Sequence, residues 1–195
     1  GYEHEVREFC SWYDKLVTYD HKVFIAGNHD WLFQDSPEKC KEILDFYKNV
    51  DYLQDDMLCV GEEWDSMIKI WGMPWQPEFN NWAFNLPRNS AEMWEKLLMI
   101  PNDIDILVTH GPAYGVLDKI LGDWRNLGCE MLAERIAQVK PKIHVCGHIH
   151  SGHGYRFDGT THYFNAAVLD ESYNFTQKPL TVEWNKETNE IEFLD

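Results

Sequence analysis

The 195-residue chain is 44% hydrophobic, and its 17 Lys and Arg against 33 Asp and Glu give a formal net charge of −16. That length suits one domain with a proper core, while the charge repels nucleic-acid backbone and anionic membrane and excludes a long polyanion as partner. No run of about 18 apolar residues is present, no basic-then-apolar leader opens the chain, and five scattered cysteines (Cys10, Cys40, Cys59, Cys129, Cys146) without a CxxC pair fit a reducing, cytoplasmic setting.

The first expected element is an amphipathic helix over 4–18, with Val6, Phe9, Cys10, Tyr13, Leu16 and Val17 at helical spacing. A strand over 22–26 leads into Gly27-Asn28-His29-Asp30. Ser36-Pro37 opens a second helix reaching about Asn49, with the serine as N-cap and the proline in the first helical position. Residues 57–60 and 67–72 read as two antiparallel strands around Gly61-Glu62-Glu63. Residues 71–86 form an aromatic loop of Trp71, Trp75, Phe79, Trp82 and Phe84, broken by Pro74 and Pro77. Such a loop packs on the core, walls a pocket, or serves self-association into a homo-oligomer.

Asn89-Ser90 caps a helix through Met99, and a strand over 104–108 runs into Thr109-His110-Gly111-Pro112. After a loop over 112–124, a helix over 126–139 places Leu127, Met131, Leu132, Ile136 and Val139 on one face. A strand over 142–146 leads into Gly147-His148-Ile149-His150, and short strands follow over 154–158, 161–167, 179–184 and 190–194, with turns at Asp158-Gly159 and Thr188-Asn189.

Loops at the carboxyl ends of parallel strands are where open α/β sheets build their sites. Asn28, His110, His148 and His150 all sit in such loops, and neutral imidazole and amide oxygen are metal donors. In extended chain His148 and His150 face the same side, roughly 7 Å apart by strand rise, which suits two ions about 3.5–4 Å apart each taking one imidazole. Gly147 lets the backbone turn there. The other histidines are weaker candidates: His4 and His21 read as surface residues, His144 as a packed strand residue, and His153 and His162 as ambiguous. Cys146, beside the site, reads as a small core residue.

With these blocks in this order, the chain resembles the calcineurin-like metallophosphoesterases, closest to the small class of metallophosphoesterase-domain proteins. The similarity rests on Val23 to Asp30, Gly72 to Pro87, Ile104 to Gly115 and Val145 to Gly154. The resemblance implies an α/β/β/α sandwich and a dinuclear phosphohydrolase that attacks phosphodiesters or small nucleotides with a metal-activated hydroxide. It assigns Asn28, His110 and His148 to one divalent ion and His150 to the other, the ions being Mn, Fe or Zn. It makes His29 the catalytic histidine, oriented by Asp30, and leaves Trp75 or Trp82 to stack a base of the small phosphorylated substrate.

Two family blocks, an Asp-x-His on the first strand and a Gly-Asp whose Asp bridges the ions, have no match in the chain. The expectation is therefore a single domain over 1–195 that lacks its first strand and N-terminal metal-ligand loops, and a fragment with little activity of its own. The alternative is a non-catalytic scaffold that keeps the fold and binds partners. A zinc amidohydrolase would need a His-x-His on its first strand or a His-Glu-x-x-His helix, and neither is present.

Overall fold

The structure, a computed structural model, describes residues 1–62 and 66–194. It is an α/β sandwich with a central mixed sheet. Six strands lie in the order β3-β4-β7-β8-β10-β9. They are β3 (Asp56–Val60), β4 (Ile68–Met73), β7 (Ile106–Thr109), β8 (Ile143–Cys146), β10 (His162–Asn165) and β9 (Gly154–Phe157). The four inner strands are mutually parallel, and β3 and β9 pair antiparallel at the edges.

A second layer is the parallel pair β1 (Val23–Phe24) and β2 (Asp51–Tyr52). It approaches β4 face-on at Gly72, where an added Cβ would lie 2.4 Å from Leu53 Cβ and 2.8 Å from Ile25 Cγ2. Helices flank both layers. On one side α1 (Glu3–Asp14), α2 (Trp31–Asp35) and α3 (Pro37–Leu44) bury Val6, Cys10, Phe33, Cys40 and Ile43 with Ala26 and Phe84. On the other, α4 (Ala91–Leu98) and α5 (Glu130–Val139) bury Met93, Leu97, Leu132 and Ile136 against Trp71 and Leu107. Two smaller pairs complete the fold: β5 (Gln76–Pro77) with β6 (Asn85–Leu86), and the hairpin of β11 (Val182–Asn185) with β12 (Glu190–Phe193).

The strand pairs expected around 57–72, 154–167 and 179–194 form as antiparallel partners, although Glu63 of the first turn lies outside the described residues. Several boundaries differ. α1 ends at Asp14, and Val17 is left 83% exposed, so the apolar spacing ran past the helix. Ser36 makes no side-chain cap; its carbonyl accepts from Lys39 and Cys40 instead, and α3 stops at Leu44. α5 begins at Glu130 with the Cys129 sulfur accepting from the Leu132 N–H. Cys129 bridges to Ala113, and Gly128 just before it runs so close that an added Cβ would lie 2.5 Å from the Ala113 carbonyl oxygen.

Among the described residues no helix is long and apolar enough to cross a membrane.

Candidate functional site

Because β4, β7, β8 and β10 run parallel, their carboxyl ends open on one edge of the sheet. Gln76 follows β4, His110 follows β7, His148 and His150 follow β8, and Ala166 to Leu169 follow β10. With the Asn28-His29 loop after β1, these segments line a cavity of about 830 Å³, within the range of small-molecule sites.

Three donor atoms meet at its base. His110 Nε2 lies 2.7 Å from Asn28 Oδ1 and 3.1 Å from His148 Nδ1. The Asn28 backbone N–H also donates to that nitrogen at 3.3 Å. Burial, reinforced by His148, pushes the His110 pKa down to about 3; burial, reinforced by His150, pushes that of His148 down to about 4. Both rings are therefore neutral near pH 7, the state a metal requires. With its one lone pair accepting the long Asn28 N–H contact, Nε2 carries no proton to share with Oδ1, and a divalent ion taking the place of that contact would satisfy Nε2, Oδ1 and Nδ1 together.

Local structure explains the convergence. Gly27 leaves clearance for the His110 ring, since an added Cβ would lie 2.6 Å from Cε1 and 2.8 Å from Nδ1. A buried relay props the turn after β7: the Thr109 hydroxyl donates to the Gly111 carbonyl at 2.7 Å and is 2.8 Å from His144 Nε2. The hydroxyl proton is thus committed, so His144 Nε2–H is the donor and its Nδ1 is left without a partner among the described residues. The fully buried Asn165 donates to the carbonyls of Ile149 and Leu117 at 2.9 and 3.1 Å, fastening the loop after β8.

The turn after β8 is not extended. His148 has φ 66°, a left-handed conformation that costs a non-glycine residue on the order of 1–2 kcal/mol and that gathers at functional sites. His150 opens a 3₁₀ turn over His150–Gly152. The two imidazoles therefore part company. His148 joins Asn28 and His110, while His150 Nδ1–H donates to the Asp170 carbonyl at 2.7 Å, its Nε2 having no hydrogen-bond partner among the described residues, the arrangement of a ligating histidine. Gly147 carries none of this: an added Cβ there meets nothing within 4 Å.

His29 is exposed at the cavity wall, with its ring 5.3 Å from Trp82 and 6.3 Å from Tyr173. Asp30 accepts from the Gly27 N–H at 2.7 Å, and burial foremost raises its pKa. Its carboxylate thus braces the loop backbone, and no hydrogen bond joins it to the His29 ring among the described residues. The Gly1 amino group donates to the His29 carbonyl on the same loop.

Of the expected stacking residues, Trp82 lines the cavity and packs against Phe79. Trp75 does not. Its indole N–H donates to both Asp55 carboxylate oxygens at 2.9 Å, Lys96 Nζ lies 4.4 Å over its ring, and Phe84 meets it edge-on at 5.4 Å. Its π-face is thereby occupied by the protein itself. The aromatic loop is split between core packing and cavity wall.

The remaining histidines stand apart. His162 is buried between the rings of Tyr155 and Phe157 with both nitrogens bonded, to the Tyr155 hydroxyl and the Asn189 carbonyl, and His153 lies off the cavity lining. Tyr173 was not legible as a cavity residue from the apolar pattern. The signal available was Asp170 followed by Ser172 and Asn174, a polar turn motif.

Among the described residues no three His, Cys, Asp or Glu side chains gather to hold an ion. The converged set is two histidines and an amide, which suits one divalent ion, and His150 stands alone for a second. The expected two-ion centre is therefore not assembled by the described side chains alone.

The calcineurin-like phosphoesterase family matches residues 2–152. The chain is 36% identical over 204 residues to metallophosphoesterase domain-containing protein 1 of Homo sapiens, covering 94% of this chain and 60% of that protein. It is 32% identical over 207 residues to UPF0046 protein T07D4.2 of Caenorhabditis elegans, covering 92% and 50%. The chain thus spans 50–60% of the length of these two curated relatives. The crystal structure of TT1561 of Thermus thermophilus aligns with a TM-score of 0.60 at 14% identity, over 97% of this chain and 79% of that one, a likeness of fold.

Proposed function

This chain belongs to the calcineurin-like phosphoesterase family, and from that premise we propose that it forms, as one domain over residues 1–195, the site of a metal-dependent phosphodiesterase acting on phosphodiesters or small nucleotides. The observation that carries the proposal is the meeting of Asn28 Oδ1, His110 Nε2 and His148 Nδ1 at the base of a cavity whose wall holds His29. When bound, a divalent ion supplies positive charge for the phosphoryl oxygens and acidifies the attacking water. Mn, Fe and Zn all suit imidazole and amide donors.

The chain's own residues do the rest. Asn28, His110 and His148 hold the ion, and His150 offers its Nε2 for a second. His29, free of hydrogen bonds to its ring among the described residues, stabilises or protonates the leaving oxygen. Trp82 offers a ring to the organic group of the ester. All three converged donors are neutral, so they do not offset the ionic charge, and hard ions are held weakly. Turnover by this chain is correspondingly low.

The test is hydrolysis of bis(p-nitrophenyl) phosphate by the purified chain, stripped with chelator and then titrated with Mn²⁺ or Zn²⁺. Turnover should appear only with metal, vanish in His110→Ala, and fall about 10²–10⁴-fold in His29→Ala. Metal-independent turnover, or a His29→Ala variant with the wild-type kcat, overturns the proposal. A second reading, a non-catalytic scaffold, draws support from the missing carboxylate in the converged set; it predicts metal bound at the site with no turnover.

A further inference from the structure

Two aromatic rings meet His29. Trp82 lies 5.3 Å from it and reaches on to His148 at 6.3 Å. Tyr173 lies 6.3 Å from it, edge-on, and reaches on to His150 at 5.4 Å, again edge-on. Trp82, His29 and Tyr173 thus form one run of rings along the cavity, with each end resting on a different metal-candidate histidine.

The backbone places Tyr173 there at a cost. Its φ is 62°, a conformation in which a bulky residue is an outlier. Asp170 imposes it: its carboxylate accepts from the Ser172 and Asn174 N–H groups at 2.8 and 2.9 Å, and its carbonyl accepts from the Tyr173 N–H at 2.9 Å. That same carbonyl accepts the His150 Nδ1–H at 2.7 Å. One residue therefore sets both the free nitrogen of His150 and the position of the tyrosine ring. The ring itself packs little: Tyr173 is 59% exposed, lines the cavity, and its hydroxyl has no hydrogen bond among the described residues. A large ring held at a backbone cost, beside the catalytic candidates and largely uncovered, has a face to offer a ligand.

We infer that Tyr173 is a specificity-determining residue that stacks a planar aromatic group of the substrate beside His29, so that esters with an aryl or nucleobase substituent are preferred over alkyl esters of equal charge. The inference rests on the phosphodiesterase reading of the site and adds to it a second residue, beside Trp82, that selects the organic group. Ring stacking contributes roughly 1 kcal/mol at such an exposed position, which sets the scale of the discrimination at about 3- to 10-fold.

The test uses binding rather than turnover. Phenylphosphonate and methylphosphonate carry the same charged head, resist hydrolysis and differ in the ring. Each is titrated into the zinc-loaded chain and followed by NMR. The wild type should prefer phenylphosphonate. Tyr173→Asn, chosen because asparagine tolerates positive φ, should lose about 3- to 10-fold for phenylphosphonate and nothing for methylphosphonate. Tyr173→Phe, which keeps the ring, should retain the preference. Equal affinity of the wild type for the two compounds overturns the inference alone. So does a Tyr173→Asn variant that binds both as the wild type does or weakens both alike, or a Tyr173→Phe variant as poor as Tyr173→Asn. Failure of both compounds to bind the zinc-loaded wild type overturns the phosphodiesterase reading, and the inference with it.

Discussion

Replacing Gly27 with alanine tests whether the site is held by clearance rather than by backbone freedom. The added Cβ would lie 2.6 Å from His110 Cε1, 2.8 Å from Nδ1 and 3.3 Å from Nε2, against an ordinary contact of 3.4 Å or more. The difference from the nearest atom, 3.4 less 2.6, is about 0.8 Å, and the ring or the loop must move that far. His110 Nε2 now lies 2.7 Å from Asn28 Oδ1 and 3.1 Å from His148 Nδ1, so a displacement of that size opens the donor set. Overpacking of this kind costs about 1–3 kcal/mol of stability, and disturbing the orientation of a ligating histidine costs about 10- to 100-fold in metal affinity. The assay is zinc competition against a chromophoric chelator, with urea unfolding run alongside. Gly147→Ala is the matched control, because its Cβ meets nothing within 4 Å; it should bind zinc and unfold as the wild type does. A Gly27→Ala variant with wild-type zinc affinity would refute the reasoning, as would equal losses in Gly27→Ala and Gly147→Ala.

Stability should fall with acid in a way traceable to His144. Burial pushes its pKa down to about 3, below the ordinary value near 6.5, so between these limits the unfolded chain binds the extra proton and stability rises with pH. The contribution is complete above about pH 6.5, and at pH 5 the wild type has lost about 2 kcal/mol through this one residue. In His144→Gln the fall in unfolding free energy between pH 7.5 and 5 should be smaller by that amount, and a fall equal to the wild type's in urea titrations would show that His144 does not contribute. The two tryptophans of the 71–86 segment should separate cleanly. Trp75→Phe should lower the melting temperature, since it releases the Asp55 carboxylate from its 2.9 Å contacts, and leave the ratio of aryl to alkyl phosphodiester hydrolysis unchanged. Trp82→Leu should shift that ratio by roughly 3- to 10-fold with little change in melting; the reverse pattern would exchange their roles.

The strand ends were legible because short β-branched runs ending in Gly or Thr mark the carboxyl edge of a parallel sheet, and Asn28, His110 and His148 follow from that edge. α4 was legible for the same kind of reason: Ser90 accepts from the Met93 N–H at 3.2 Å, a cap written in the sequence. What escaped depends on contacts distant in the chain. Leu127 and Met131 keep helical spacing, yet Gly128 is pinned against Ala113 and the helix cannot start until Glu130. Trp75 and Trp82 look alike in sequence, and only Asp55 and Lys96, brought from other elements, turn the first away from the cavity. His148 and His150 share a side if the chain is extended, and the left-handed turn at His148 undoes that. The role of Tyr173 depends on an Asp170 turn whose carbonyl also meets His150, a pairing of residues 20 positions apart.

Whether Asn28, His110 and His148 together hold a divalent ion can be seen in a crystal of this chain grown with zinc and phosphate, with anomalous differences recorded at the zinc edge. The expected peak lies roughly 2.0–2.2 Å from His110 Nε2, His148 Nδ1 and Asn28 Oδ1, with the phosphate turned toward His29. Zinc bound elsewhere on the acidic surface, with these three atoms left in mutual contact, would contradict that site.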